Sequence, residues 1–170
     1  TLLPNLAAYN VAASVQPSMG ACHGGPGVMN GGDLTVTVQC YQLRGGSVVV
    51  SRGNHATLVV GALSLTAGGT LDLADNFMVV RSGGLAAVQS AIATAYNHGA
   101  WNGTGGITST TAAADPNHLT ALGFGSNANL NKSSFAGVTG LTATDLLVKY
   151  TYLGDSDLSG TASFETGRKR

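Results

Sequence analysis

Residues 47–81 read SVVVSRGNHATLVVGALSLTAGGTLDLADNFMVVR, and the fold turns on how this stretch is divided. Short runs rich in Val, Leu and Thr stand at 47–51, 56–60, 62–66, 70–73 and 77–81. Branched and apolar side chains suit a pleated, half-buried surface, so each run is expected to be a strand. The punctuation between them is small: Gly53-Asn54, Gly61, Gly68-Gly69 and Asp75-Asn76. Hairpins favour Asn-Gly or Asp-Gly between strands of equal length. Here Ala67-Gly68-Gly69 and Ala74-Asp75-Asn76 separate unequal pieces, which suits the corners of a β-solenoid. No exact repeat period accompanies them, and a β-sandwich is the alternative. The expectation is a mainly β, solenoid-like fold with one capping α-helix.

Outward from this stretch, Leu34, Val36, Val38 and Cys40 alternate with Thr35, Thr37 and Gln39, the period of an earlier strand. Residues 20–32 are rich in glycine and read as loop, and 1–19 is apolar and Ala-rich. On the other side, Leu85, Val88, Ile92, Ala95 and Tyr96 recur at helical spacing. A helix is expected at 84–98, with Ser82 as its cap and Gly99 as its end. Asp115-Pro116-Asn117-His118 reads as a turn into a short helix ending at Gly123. Leu146, Val148, Tyr150 and Tyr152 alternate with Leu147, Lys149 and Thr151, a final strand. The division is residues 1–50, an N-terminal extension with loop and first strand that serves as an assembly segment, and 51–170, the β-rich domain.

Composition narrows the function classes. Charged residues make up only 9% of the 170, the formal net charge is zero, and glycine counts 25. A chain kept in solution by hydroxyls and amides has the habit of extracellular β proteins, and it presents no charged face to nucleic acid. No apolar run approaches the roughly 20 residues of a membrane span. A bridge between Cys22 and Cys40 would close a loop of roughly 18 residues, worth about 3 kcal/mol in the chain-entropy model, and two buried thiols are the alternative.

One segment points to metal chemistry. In Asp155-Ser156-Asp157-Leu158-Ser159-Gly160, oxygen-bearing side chains fall at alternate positions and a glycine stands sixth. Calcium loops need that spacing, because alternate oxygens converge on one hard cation and the glycine permits the sharp turn. Asp155, Asp157 and Ser159 are therefore the candidate calcium ligands. An Asx-type turn after the strand is the competing reading. Trp101, flanked by glycine-rich sequence, reads as a packing anchor or, in the alternative, as a sugar-stacking platform. The acids Asp33, Asp72, Asp75, Asp115, Asp145, Asp155, Asp157 and Glu165 sit mostly in turns, and His23, His55, His98 and His118 are scattered. No nucleophile or metalloprotease motif accompanies them, so no catalytic residue is assigned and the chain is expected not to be an enzyme.

Four blocks carry a resemblance: GTLDLADNFMVVR at 69–81, LAAVQSAIATAYNHGAWNGTGGITS at 85–109, TAAAD with LTALGF at 111–124, and DLLVKYTYLGDSDLSG at 145–160. In this order they resemble a module of large secreted proteins of Planctomycetes and related bacteria. There it follows autotransporter-type β-strand repeats and precedes a dockerin-like or sorting segment. The resemblance covers about residues 57–160. It implies an extracellular or cell-surface location, a β-helix-like scaffold, a non-catalytic role and a dockerin-like calcium loop. This chain departs from the pattern: Ser159 occupies the fifth loop position, and Thr166 the twelfth, with Glu165 one place early. A following helix and second loop have no counterpart before Arg170.

The expected function is a structural module of a bacterial cell-surface protein, self-associating into a layer or filament with copies of itself as partner. Head-to-tail contacts are expected to involve residues 1–20. The alternative is a carbohydrate-binding module attached to a secreted glycoside hydrolase, using Trp101, Tyr150 and Tyr152 on a polysaccharide. Neither reading involves nucleic acid or membrane insertion, and calcium is the one cofactor expected.

Overall fold

The computed structural model describes residues 9–11, 35–53 and 55–162. Cys22, and with it the expected bridge to Cys40, lies outside them. Among the described residues the chain is β-rich. Its strands are β1 (Tyr9–Val11), β2 (Thr35–Arg44), β3 (Ser47–Val50), β4 (Thr57–Thr66), β5 (Thr70–Asp72), β6 (Phe77–Val80), β7 (Gly106–Thr108), β8 (Thr120–Ser126), β9 (Ser134–Phe135), β10 (Val138–Thr139) and β11 (Leu146–Tyr152). Helices α1 (Leu85–Tyr96), α2 (Thr110–Ala113) and α3 (Asn127–Leu130) interrupt them. No helix among the described residues is long and apolar enough to cross a membrane.

Strands β1 to β8 alternate between two sheets, while β9 and β10 form a separate antiparallel pair. The larger has the order β2-β4-β6-β11-β8 and the smaller β1-β3-β5-β7. Within the larger, β2, β4 and β6 are parallel: Thr35 stands opposite Thr57, and Thr57 opposite Phe77. In the smaller, Ser47 stands opposite Thr70, and Thr70 opposite Gly106, an interval lengthened by α1. After this parallel series the larger sheet is extended by β11 and β8, each antiparallel to its neighbour. β1 lies antiparallel on β3, so residues 9–11 of the expected assembly segment pair with their own chain. The expected division at residue 50 falls at the end of β3, after strands β2 and β3 have joined the two sheets.

The main core lies between the sheets. Leu58, Val60, Leu71, Met78, Val80, Ile107, Leu146 and Val148 are buried there, with Val88 and Ile92 of α1. A second cluster covers the outer face of the larger sheet, where Phe135, Val138 and Leu158 pack on Val59, Val79 and Leu147. The central strands are thus buried on both faces, which is why 58–60 and 77–80 read as continuous apolar runs. Residues buried this way each contribute about 1.5–3 kcal/mol.

Four local expectations need correction. The runs 56–60 and 62–66 are one strand, β4, because pairing with β2 continues past Gly61. Helix α1 begins after Gly84 without a side-chain cap, and the Ser82 N–H donates instead to the Gly61 carbonyl at 2.7 Å. Leu85 lies at the exposed start of the helix, leaving Val88, Ile92 and Ala95 as its buried stripe. Residues 120–126 form β8 rather than the end of a helix, since every residue from Thr120 to Ser126 pairs with β11. Tertiary pairing here outweighs local preference.

Stacked corners hold the parallel series in register. Asn76, fully buried, accepts from the Ala56 N–H at 2.8 Å and donates to the carbonyls of Ser51 at 3.0 Å and Leu73 at 2.8 Å. The Gly53 N–H donates to the Asp75 carboxylate at 3.0 Å. One level further, the Ser109 hydroxyl donates to the Ala74 carbonyl at 2.6 Å, and the Leu73 N–H to the Thr108 carbonyl at 2.9 Å. Three successive turns are therefore bonded to one another through side chains as well as backbone.

Candidate functional site

The turn after β11 carries the candidate calcium ligands. Asp155 is buried, at 5% exposure. Its Oδ1 accepts from the Ser159 N–H at 2.9 Å and the Ser159 hydroxyl at 3.4 Å, and its Oδ2 from the Gly160 N–H at 2.8 Å and the Thr151 hydroxyl. A carboxylate has about four lone-pair sites, and four donors engage them. The Oδ1 of Asp157 accepts from the same Ser159 N–H at 3.1 Å. These are the bonds of Asx-type turns, and as arranged Asp155 offers a cation no free lone pair. Hydrogen bonds from the Ser159 hydroxyl, then from its N–H, hold the Asp157 carboxyl below its usual range. The ninth and twelfth loop positions, Ser163 and Thr166, lie outside the described residues.

The other described acids accept from N–H groups at turns. Asp115 accepts from the N–H groups of Asn117, Leu119 and Thr120 and from the Thr120 hydroxyl. The Thr120 hydroxyl is the largest cause of its lowered pKa, followed by the Asn117 N–H. Asp145, 1% exposed, accepts from Arg81 at 2.7 Å and from the Thr142 N–H at 2.8 Å. The Oδ1 of Asp72 accepts from the N–H groups of Ala74 and Thr110, and its buried Oδ2 has no partner among the described residues. Among those residues no three His, Cys, Asp or Glu side chains converge as a metal site would require.

Trp101 is buried, with 9% of its surface exposed, and its ring meets Tyr96 edge-on at 5.1 Å. A sugar platform needs an open ring face, whereas this ring packs in the main core. The glycines around it serve that packing: a Cβ at Gly103 would collide with the Thr94 carbonyl, and one at Gly106 with that of Ala91. Tyr150 and Tyr152 instead border a shallow cavity of about 270 Å³, which His55, Phe77, Asp75 and Lys149 also line.

The feature that sequence reading missed is the outer edge of β8. Among the described residues it pairs only with β11, and its residues TALGFGS carry neither charge nor proline. The signal was present in Gly123 and Gly125, where a Cβ would press on Leu158 and Leu130. Glycine inside a strand marks such close approach.

Comparison of the chain with protein-family models, with curated proteins and with solved structures finds no match.

Proposed function

We propose that the chain is a non-catalytic structural module of an extracellular, cell-surface protein, and that it associates with copies of itself into a layer or filament. The observation that carries this reading is the outer edge of β8, which beyond the Asp115 carboxylate on Thr120 meets no further strand among the described residues. Natural sheets protect exposed edges with Lys, Pro, bulges or covering loops, because an open row of amides and carbonyls recruits another strand. β8 has no charged or proline residue, and its register with β11 runs unbroken from Thr120 to Ser126, so no bulge turns it aside. A zero formal net charge adds little repulsion between copies.

The scaffold we propose is a short β-solenoid. Its support is the alternation of β2 to β7 between two sheets and the parallel, in-register stacking of β2 on β4, β4 on β6 and β3 on β5. Helix α1 then takes the place of a further strand over the end of the stack. The resemblance to the Planctomycetes-type secreted module agrees with this reading and supplies its surface location. A second reading, attachment to polysaccharide, rests on the cavity at Tyr150 and Tyr152 rather than on Trp101. Sedimentation velocity across a wide concentration range tests the main reading: the average mass should rise with concentration. Retention on insoluble polysaccharide by a chain that stays monomeric would favour the second.

A further inference from the structure

Among the described residues the two ends of the larger sheet are β2 and β8. In an antiparallel pair, alternate residues turn their N–H and C=O toward and away from the partner. The Leu153 N–H donates to the Leu119 carbonyl and the Asn127 N–H to the Asp145 carbonyl, each at 2.8 Å. The intervening pairs Ala121 with Thr151, Gly123 with Lys149 and Gly125 with Leu147 share that parity. Leu122 and Phe124 therefore turn their N–H and C=O groups away from β11, and nothing among the described residues bonds them. A backbone amide removed from water without a partner is costly, and Leu122 is only 4% exposed, so a further strand would satisfy groups that water reaches poorly.

Strand direction selects the partner. β2, β4 and β6 run parallel, β11 runs against β6, and β8 runs against β11. β8 consequently runs in the same sense as β2. A second copy displaced along the sheet, without being turned over, lays its β2 beside β8 as a parallel strand, the relation β2 already has to β4.

We propose that β8 of one copy pairs with β2 of the next, so that the five-stranded sheet continues from copy to copy; this rests on the self-association reading above. The contact joins two different edges, so each added copy leaves another β8 open and the assembly does not close. Strands spaced about 4.8 Å apart give an axial rise of about 24 Å for a five-stranded repeat.

Electron microscopy and sedimentation of the intact chain and two variants test the inference. Phe124→Pro removes an outward N–H and leaves the ladder to β11 intact. Ala121→Lys puts a charge on the strand and serves if the first variant does not fold. The wild-type chain should form filaments with that axial rise, and each variant with native circular dichroism should stay monomeric. Folded variants that polymerise as the wild type does overturn the β8 contact and leave self-association standing. A closed wild-type dimer overturns it in favour of pairing between two β8 strands. A wild-type monomer at every concentration overturns both.

Discussion

Replacing Asn76 with alanine probes the corner stacking on which the parallel series depends. The side chain is fully buried and its amide joins the turn at 51–56 to the turn at 73–76. Truncation leaves the Ala56 N–H without its acceptor, and Ala56 is only 3% exposed, so water does not replace the bond. A stranded buried donor costs about 1–3 kcal/mol, and the lost amide donation adds about 0.5–1.5 kcal/mol for each bond. The expected loss is therefore about 3 kcal/mol, or roughly 5–15 °C in Tm for a chain of this size. Asn76→Asp keeps the volume but sets a carboxylate oxygen against carbonyls, and it should lose at least as much at neutral pH. Asp75→Ala is the control, since its bonds to Gly53 are exposed, and it should cost about 0.5 kcal/mol. Urea unfolding of the three variants supplies the numbers. Equal, small losses for Asn76→Ala and Asp75→Ala would refute the view that Asn76 brackets the corners.

Further predictions concern the other buried polar groups and the Trp. Arg81→Met strands the Asp145 carboxylate, 1% exposed, and should cost about 3 kcal/mol by denaturant unfolding, the low end for a broken buried pair because Arg81 is itself about a third exposed. Trp101→Ala should cost about 3–5 kcal/mol and leave any polysaccharide retention unchanged, measured by melting and pull-down. Asp155→Ala should loosen the turn after β11 by about 1–3 kcal/mol, while added calcium should leave the wild-type Tm unchanged; a rise reversed by chelation would restore the metal reading. The carboxyls of Asp115 and Asp157 are held below their usual range, so their contribution is present above that range and is lost as pH falls through the lowered values. Proton-detected titration should show both turns intact until the solution is more acidic than an ordinary aspartate requires.

The strands were legible where one face alternates or where both are buried. The alternation at 146–152 is β11 without adjustment, and the runs 70–73 and 77–81 are β5 and β6 within a residue. The stacking order was not legible. Strands that stack begin at Thr35, Thr57 and Phe77 in one sheet and at Ser47, Thr70 and Gly106 in the other, so the spacing is near-regular without repeating identically, and α1 lengthens the last interval. Asp75-Asn76 read as punctuation, yet Asn76 is a bonded bracket, a role that depends on Ala56 and Ser51 one turn earlier in the stack. β8 was hidden for a different reason. Its glycines and alanine carry little strand preference, and it is a strand because Leu158 and Leu130 press on Gly123 and Gly125 while β11 supplies the ladder. For the turn at 155–160 the spacing located carboxylates that close a turn, but spacing alone does not distinguish carboxylates that face a cation from carboxylates that face N–H groups.

Residue-resolved hydrogen exchange in dilute and concentrated samples tests most directly whether copies meet at this edge. In dilute solution the inward N–H groups of Ala121, Gly123 and Gly125 should be protected by β11, and those of Leu122 and Phe124 should exchange faster. At high concentration Leu122 and Phe124 should become protected while the other three do not change. Rapid exchange at Leu122 and Phe124 at every concentration would contradict association through β8.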